Sequence, residues 1–230
     1  MSRQVTTLSA ARTYRSEVRA QRAERTRASV QRAAAALFAA QGYTGTSIRQ
    51  IAAAADVSVQ TVVTLGSKAE LFLRSFEAAF SGTADGASLL DLDEASAMWD
   101  ATTLREQVEA LASFITASNA RSADLWTAYV EAANTDPALA RAYAQRMDDM
   151  RLDGRRVLAE TVRRGWCPAP PDPQRTVDAV WVVLHPSQHV LLVRHAKWST
   201  ACYRAWMVDN LLAILTPGAQ EPWPSLTDPA

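Results

Sequence analysis

The chain has few cysteines, no long apolar run and no strand pattern, and each absence narrows the class of protein. Cys167 and Cys202 are the two cysteines among 230 residues, too few for a disulfide framework and typical of a reducing compartment. No stretch approaches the roughly eighteen apolar residues of a membrane-spanning helix, and residues 1–18 lack the apolar run of a signal peptide. Because no segment alternates apolar and polar residues as strands do, we expect an all-α cytoplasmic protein without a membrane partner.

Signatures of catalysis and of metal binding are also missing. The sequence has no nucleophile elbow, no phosphate-binding loop and no histidine paired with a carboxylate at a diagnostic spacing. His185 and His189 have a spacing that could join two imidazoles on one metal, but Pro186 interrupts it and no further ligand stands at a helical offset. We therefore expect no enzyme activity, no cofactor and no metal.

Charge is balanced over the chain but unevenly distributed along it. The 24 Lys and Arg residues match the 24 Asp and Glu residues in number. Residues 1–80 contain eleven basic and five acidic residues, a net charge of +6, and the remainder carries a net charge of −6. A positive field confined to one end is the electrostatic footprint of a phosphate-binding region. A solvated basic helix face is the alternative interpretation.

The stretch from Arg22 to Leu71 begins with an arginine-rich amphipathic helix. Its apolar residues recur at intervals that place them on one face of a helix. Gly42 follows, and a glycine at this point supplies the left-handed residue that commonly ends a helix. The residues of the apolar face are Val30, Ala34, Leu37 and Phe38.

Two short helices separated by a tight corner follow the basic helix. Ser47 offers a hydroxyl to the first turn of one helix, and Gln50 stands where it can complete a capping box. Asp56 lies at the corner, and Ser58 can cap the next helix, which we predict over residues 59–65. Two short helices joined in this way and preceded by a basic helix are typical of a helix-turn-helix.

This segment resembles the TetR family of one-component transcriptional regulators, and the match covers about fifty residues. The stretch from Val180 to Leu215 is in addition similar to the last helices of many TetR-like proteins. The motifs that carry the resemblance are Leu37-Phe38-Ala39-Ala40-Gln41-Gly42-Tyr43, Thr46-Ser47-Ile48-Arg49-Gln50-Ile51-Ala52, Val57-Ser58 with Thr61, and Ser67-Lys68-Ala69-Glu70-Leu71.

The chain departs from the family pattern at two points. Asp56 stands where the family usually has glycine, and aspartate enters the left-handed region more readily than most residues. The third helix of the family usually carries a tyrosine that touches phosphate and a phenylalanine that packs, whereas residues 62–66 contain neither ring. Loss of the tyrosine removes one phosphate contact, which affects DNA affinity rather than the fold.

The resemblance implies an all-α fold with an N-terminal three-helix DNA-binding domain and a larger C-terminal helical domain for ligand binding and dimerisation. It also implies double-stranded operator DNA, a small-molecule effector and a second copy of the chain as partners. The expected divisions are a flexible basic arm (1–18), the helix-turn-helix domain (19–66), the regulatory and dimerisation domain (67–216) and a Pro-rich tail (217–230).

Two groups of side chains are expected at the DNA. Hydroxyls and backbone amides at the start of the second helix would hold phosphate, as helix N-termini do. Exposed polar side chains of the third helix would reach base edges, and basic residues around them would contact phosphate. The expected DNA-binding residues are Arg19, Arg22, Thr46, Ser47, Arg49, Ser58, Gln60, Thr61, Thr64 and Lys68.

Helical patterns continue through the larger domain. Residues 81–95 contain two glycines and several acids and indicate a loop. Asp136 and Pro137 begin a long helix, residues 165–173 break the chain, and Pro186 disturbs the helix that contains it. The predicted helices cover about residues 68–80, 103–118, 122–133, 137–164, 174–193 and 199–215.

Aromatic and methionine side chains of the middle helices are candidates for a ligand pocket. Seven tryptophans in 230 residues, together with soft methionines, suit an apolar pocket for a sizeable organic molecule. Ordinary core packing is the alternative for each of them. The candidates are Met98, Trp99, Leu111, Phe114, Trp126, Tyr129, Tyr143, Met147 and Met150.

The last two predicted helices are apolar nearly all round. Such a helix has to be buried on more than one side, and a subunit interface would bury the second side, although a buried pair of core helices is the alternative. A two-fold dimer would also bring two recognition helices to a palindrome. The expected interface residues are Trp181, Leu184, His185, Tyr203, Trp206 and Leu211.

These patterns together favour a ligand-responsive, DNA-binding transcriptional regulator. Its simplest form is a repressor that a small apolar or aromatic molecule releases from a palindromic operator. Two alternatives stay open. The chain could be a TetR-like protein with weakened or lost operator binding that acts through a protein partner, or a helical small-molecule-binding protein or enzyme.

Overall fold

The computed structural model describes residues 3–82 and 89–216, with side chains from Ala20 onward except those of Leu89 and Glu94. The predicted Pro-rich tail lies outside these residues. No strand occurs in the described ranges, as the sequence predicted. The α-helices in chain order are α1 (Arg3–Gly45), α2 (Ile48–Ala54), α3 (Val59–Leu65), α4 (Lys68–Ser81), α5 (Ser96–Asp100), α6 (Leu104–Ala133), α7 (Pro137–Arg163), α8 (Pro173–Leu184), α9 (Pro186–His189) and α10 (Thr200–Leu215).

Local capping fixes the helix-turn-helix as the sequence predicted. The Ser47 backbone N–H donates to Gln50 Oε1 at 2.8 Å, and the Gln50 N–H donates back to Ser47 Oγ at 3.3 Å, which completes the capping box of α2. Asp56 turns the corner with φ of 53°. Ser58 Oγ then accepts the Thr61 N–H at 3.1 Å and starts α3. Short polar side chains thus satisfy the exposed donors at the start of both helices.

Helix α1 is longer than the sequence predicted. We expected residues 1–18 to form a flexible arm, but the helix begins at Arg3. This expectation was wrong for residues 3–18, because no proline or glycine interrupts the chain before Gly42 and Ala, Arg, Gln and Glu favour helix. At Gly42 the backbone leaves helical geometry with φ of 70°, the positive value that the predicted end of the helix requires.

Helix α6 is one continuous helix of 30 residues where the sequence predicted two. The supposed break near Asn119 was wrong, because no proline or glycine lies in the segment and the amide finds partners on other helices. Asn119 is buried, and its Nδ2 donates to the Leu184 carbonyl and to Tyr203 Oη, each at 3.1 Å. A polar residue that resembled a helix boundary instead ties α6 to α8 and α10.

The carboxyl-terminal third follows its prolines. Asp136 caps α7 by accepting the Ala138 N–H at 2.8 Å, and Pro137 occupies the first turn. Helix α8 ends at Leu184 because His185 precedes Pro186 and takes an extended conformation. The chain then continues through α9 into a π-helical segment, Val190–His195. The disturbance predicted at Pro186 is therefore confirmed.

The segment before α6 is more regular than a loop. Two 3₁₀ turns, Leu89–Asp91 and Asp93–Ala95, lead into α5. Trp99 on α5 donates its indole N–H to the Leu90 carbonyl at 3.0 Å. Sequence periodicity missed these elements because each is shorter than the window over which a helical period can be read.

Aromatic packing joins the DNA-binding helices to the larger domain. Phe72 on α4 lies 5.1 Å from Phe38 on α1 and 5.5 Å from Tyr129 on α6, measured between ring centroids. Phe76, one turn further along α4, contacts both Tyr129 and Trp126. One hydrophobic core therefore runs from α1 through α4 into α6, and α4 lies at its centre.

Candidate nucleic-acid interface and ligand cavity

Helix α3 presents a mixed polar and apolar face to solvent. Val62 is buried and anchors the helix, whereas Gln60 and Thr64 are exposed. Val59 and Val63 are also exposed, at 43% and 52% of their surface. They stand four residues apart and therefore lie on one side of the helix. This face can offer an amide for hydrogen bonding and methyl groups for apolar contact, the two ways in which a major-groove base edge is read.

Hydroxyl groups around α3 bond to one another and to the backbone. Ser58 Oγ and Thr61 Oγ1 share a hydrogen bond of 2.8 Å, and Thr64 Oγ1 donates to the Thr61 carbonyl at 2.7 Å. Thr61 is half-buried, while Ser58 and Thr64 are exposed. Arg49 on α2 is exposed as well, and it remains available to a phosphate or a base.

Thr46 does not lie where a phosphate contact requires. Its side chain is buried, and Oγ1 donates to the Gly42 carbonyl at 2.8 Å. Thr46 thus turns back toward the end of α1, whereas Ser47, the cap of α2, stays exposed. The expectation for the Thr46 hydroxyl was therefore wrong, and Ser47 with the first amides of α2 is left at this helix start.

Lys68 stacks on a tyrosine at the joint between the two regions. Its ammonium nitrogen lies 4.2 Å from the centre of the Tyr43 ring. Tyr43 in turn donates its hydroxyl to Asp136 at 2.7 Å. Burial lowers the pKa of Lys68, and the Asp136 charge partly opposes that shift. Lys68 would have to leave the ring to reach a phosphate, and its first role in this structure is to pack.

The DNA-binding head, helices α1–α3, carries exposed basic side chains. Arg22 is exposed, and the side chain of Arg19 lies outside the described residues. Arg25 and Arg32 on α1 are exposed too and were not among the candidates, although the count of arginines in this segment had pointed to them. Glu24 neutralises one neighbour by pairing with Arg27 at 3.3 Å, so the remaining arginines carry the positive field.

A narrow apolar cavity of about 60 Å³ lies between α6, α7 and α8. Gly154 in the middle of α7 lines it, and its missing side chain leaves room beside Val177. A glycine inside a helix costs helix stability, and it is the one sequence signal that could have located the cavity. The apolar lining includes Phe80, Leu90, Leu111, Ile115, Val157 and Val180.

Most of the predicted ligand residues lie elsewhere. Leu111 and Met150 line the cavity. Periodicity shows which face of a helix is inward, but the match between neighbouring side chains decides where packing leaves a void. Trp126 is an example, because it is buried and donates its indole N–H to Ser187 Oγ at 3.0 Å. The residues that pack in the core or against it, away from the cavity, are Met98, Trp99, Phe114, Trp126, Tyr129, Tyr143 and Met147.

Two of the six predicted interface residues are buried inside the chain and four are half-buried. Tyr203 and Leu211 are buried within the chain, and Trp206 is half-buried and stacked on Tyr203. The burial has one cause: α10 packs one side against α6 and α8 of its own chain. The residues that instead line the cavity are Trp181, Leu184 and His185.

Two other apolar residues of this region face solvent. Val182 on α8 is 47% exposed, and Leu191 in the π-helical segment is 55% exposed. Neither was among the candidates, since a helix that is apolar all round gives no sequence signal for which side faces out.

The polar groups of the cavity are few and mostly engaged. His185 Nδ1 accepts the Ser187 N–H at 3.3 Å, and burial together with the nearby Arg151 charge lowers the pKa of His185 to about 4. Asp153 pairs with Arg156 at 3.5 Å. The indole Nε1 of Trp181 is buried and has no hydrogen-bond partner among the described residues. The site is therefore mostly apolar, and Trp181 Nε1 is a buried donor in it without a partner among the described residues.

The described residues offer neither a metal site nor a membrane span. No group of three or more His, Cys, Asp or Glu side chains within the described ranges is arranged to hold a metal ion. Nor does any described helix combine the length and the apolar character needed to cross a bilayer.

The amino-terminal helices match a known family. Residues 31–74, from the middle of α1 into α4, match the family model of bacterial regulatory proteins of the tetR family. A search of curated proteins gave no match to the chain.

Solved structures extend the comparison to nearly the whole chain. A structure described as a TetR-family transcriptional regulator from Mesorhizobium loti is 21% identical, with a TM-score of 0.66 over 84% of this chain and 96% of that one. A transcriptional regulator from Pseudomonas aeruginosa is 20% identical, with a TM-score of 0.62 over 80% and 88%. The complex of SmeT with triclosan is 17% identical, with a TM-score of 0.62 over 87% and 99%.

The chain thus carries the helix-turn-helix domain of the TetR family and has the overall fold of TetR-family transcriptional regulators. The resemblance predicted from residues 37–71 is confirmed.

Proposed function

We propose that this protein is a DNA-binding transcriptional regulator of the TetR type whose operator affinity changes when a small apolar or aromatic molecule enters the α6–α7–α8 cavity. Its simplest mode is repression from a palindromic operator by a cytoplasmic homodimer. The observation that carries the proposal is that α4 touches both sites. Arg74 on α4 donates to the Leu65 carbonyl at the end of α3 at 2.6 Å, and Phe80 lines the cavity.

Helix α4 is therefore the proposed connection between ligand and DNA. Its 14 residues span about 21 Å, and the mostly buried Glu77 on it forms an ion pair with Arg146 on α7. A ligand larger than the cavity has to displace the surrounding side chains, Phe80 among them. The ligand shifts the DNA-binding equilibrium only if it favours one position of α4 over another.

The proposed DNA contacts follow from exposure and chemistry. Helix α3 would enter the major groove, where Gln60 can make paired hydrogen bonds to adenine. Val59 and Val63 would meet the C5-methyl groups of thymines. Arg22, Arg49 and exposed hydroxyls near them would position the protein on phosphate.

The proposed homodimer uses the outer side of the last helices. Val182 on α8 and Leu191 in the π-helical segment are exposed apolar side chains, and we propose that a second copy of the chain covers them. Two heads in one dimer would then read the two half-sites of a palindrome.

The test is a mobility-shift assay on the DNA upstream of the chain's own gene, over a salt series. We expect Gln60→Ala to weaken specific binding by about 1–3 kcal/mol and to relax discrimination at one base pair. Gln174→Ala, at an exposed glutamine on α8, should leave affinity unchanged. Equal losses on specific and random DNA would remove Gln60 from base reading, and no specific binding at all would overturn the proposal.

One rival is supported by a specific observation. Exposed Val59 and Val63 stand near the point where the family's phosphate-contacting tyrosine is missing, and an exposed apolar pair can also bind a protein. A chain that binds no DNA at low salt, yet retains its fold, would favour a regulator that acts through a protein partner.

A further inference from the structure

The indole N–H of Trp181 is buried without a partner among the described residues. Trp181 lines the cavity, and its Nε1 has no hydrogen-bond partner among the described residues. Buried donors in folded proteins are nearly always paired, and an exception calls for an explanation such as a missing ligand. The other tryptophans whose indole bonds are known, Trp99 and Trp126, donate to Leu90 and Ser187, so the unpaired state of Trp181 is not general to this chain.

His185 places a second N–H donor one helical turn from the first. Its ring lies 5.0 Å from the Trp181 ring, edge to face. The Ser187 N–H donates to Nδ1 at 3.3 Å, so Nδ1 is the acceptor and the proton of the neutral ring sits on Nε2. The described residues provide no acceptor for Nε2. Trp181 and His185, which both line the cavity, therefore offer two N–H donors along one wall.

Charged groups beside the cavity already have partners. Asp153 pairs with Arg156, and Arg151, whose guanidinium lies 4.2 Å above the Trp181 ring, pairs with Asp178 at 3.1 Å. A charged ligand would enter without a counter-charge and would lose its hydration, which is strongly unfavourable. An apolar ligand without an acceptor would leave the Trp181 N–H unpaired.

We propose that the cavity selects uncharged aromatic molecules that carry an oxygen acceptor, such as a ketone, and that Trp181 Nε1–H donates to this oxygen. The inference rests on the proposed function for the existence of an effector, and it adds the chemical class of that effector. Such a molecule is larger than the 60 Å³ cavity, so the apolar side chains around it have to move apart to hold the ring system, and the indole N–H fixes its orientation.

The experiment compares three probes of similar size on the full-length protein by calorimetry. The probes are 2-acetylnaphthalene, which has a neutral acceptor, 2-ethylnaphthalene, which has none, and 2-naphthoate, which is charged. We expect the ketone to bind roughly ten-fold more tightly than the hydrocarbon and the carboxylate to bind more weakly than either.

Trp181→Phe isolates the hydrogen bond. Phenylalanine keeps an aromatic ring but lacks the N–H, so the preference for the ketone should fall to about two-fold or less while the hydrocarbon binds as before. Trp206→Phe is the matched control, because Trp206 does not line the cavity, and it should keep the ten-fold preference. A circular-dichroism melt of each variant confirms that it is folded.

Each alternative outcome overturns a defined part of the inference. Equal binding of ketone and hydrocarbon, or a preference that survives Trp181→Phe, removes the hydrogen bond. Tightest binding by the naphthoate contradicts selection for uncharged ligands, and no binding by any probe contradicts the cavity as the site. A probe that binds as expected but leaves operator affinity unchanged would instead contradict the proposed function and leave the cavity chemistry intact.

Discussion

The DNA-binding head (α1–α3) and the larger helical body (α4–α10) are stabilised in different ways. From the head into α4, three consecutive short connections each end in a serine that caps the next helix, Ser47, Ser58 and Ser67. In the body, side-chain caps also start the long helices, but buried polar groups there depend on long-range partners, as Asn119 does, or are left without one. Among the described residues, the buried side-chain atoms that lack a hydrogen-bond partner belong to Glu77, Gln107, Thr116, Trp181 and His189.

The difference means that local contacts fix the helices of the head, whereas the packing of the body can change. A serine cap contributes about 1 kcal/mol and acts through neighbours in sequence, so each capped helix keeps its shape wherever the head moves. An unpaired buried donor disfavours the folded state by about 1–3 kcal/mol, and a ligand or a small rearrangement that pairs it recovers this energy. We therefore expect the head to move as a unit and the body to change its packing.

The largest expected effect comes from disrupting the proposed dimer interface, which lies on the body and not on the DNA-binding head. Leu191→Glu should place a charge on the exposed apolar side of the body and convert the proposed dimer into a monomer, which sedimentation measures. Operator affinity should fall by about 100-fold or more, because two half-sites no longer act together. Leu152→Glu changes an equally exposed leucine on α7 and should do neither. A Leu191→Glu protein that stays dimeric would place the interface elsewhere.

The joint between head and body gives the next largest effect. Asp136 caps α7 and also accepts the Tyr43 hydroxyl, so Asp136→Ala should lower the free energy of unfolding by about 2–3 kcal/mol. Asp172 caps α8 before a proline in the same way but has no such tyrosine. Asp172→Ala should therefore lower stability by about 1 kcal/mol. Urea denaturation measures both, and equal losses would mean that the Tyr43 contact adds nothing.

A change of pH should act on the body alone, because the three histidines lie at residues 185–195. Burial lowers the pKa of His185 to about 4 from an ordinary value of 6.5, so the unfolded chain takes up the proton first as pH falls. The contribution of His185 to the free energy of unfolding is complete above about pH 6.5. It decreases below that pH, by about 2 kcal/mol at pH 5.

A variant that cannot titrate at residue 185, compared at two pH values, measures the contribution of His185. His185→Asn keeps a side-chain acceptor for the Ser187 N–H but cannot titrate, so urea denaturation at pH 7.5 and pH 5.0 should show a smaller loss for the variant. Burial also lowers the pKa of His189, and some loss should remain. An unchanged loss in His185→Asn would assign the effect to other groups.

The smallest expected effect is that of Gly154→Ala, which should raise the stability of the protein and weaken ligand binding. Gly154→Ala removes a glycine from the middle of α7 and should raise the free energy of unfolding by up to about 1 kcal/mol. The added methyl group would lie 3.4 Å from Val177 Cγ1, a close but tolerable contact, and it takes up space in the cavity. Calorimetry should show weaker binding of 2-acetylnaphthalene. A variant that is more stable and binds as well as the parent would place the ligand away from Gly154.

Sequence predicted the head almost completely because its signals are local. The capping box of Ser47, the left-handed Asp56 and the bounds of α3 depend on residues within a few positions of one another. Thr46 was the exception, since its hydroxyl turns inward to Gly42 and this depends on how α1 and α2 meet.

Sequence could not predict the cavity, because a void is a property of several helices at once. Periodicity showed that Trp126, Tyr129 and Tyr203 face inward, but it could not distinguish the filled parts of the interior from the empty one. Trp181 was assigned to a subunit interface for the same reason, since an all-apolar helix gives no indication of which neighbour covers each side.

The hydrogen bond from Tyr43 to Asp136 has a consequence for engineering chimaeric regulators. A design that transfers residues 1–66 to another TetR-type body cuts the chain between α3 and α4, which is the natural boundary in sequence. It would carry the phenol of Tyr43 but leave its carboxylate partner, 93 residues away, behind. A transplanted head therefore needs an aspartate or a comparable acceptor at the first cap of the recipient's α7. Without one, the new protein would keep its operator preference but lose the fixed angle between head and body through which an inducer acts.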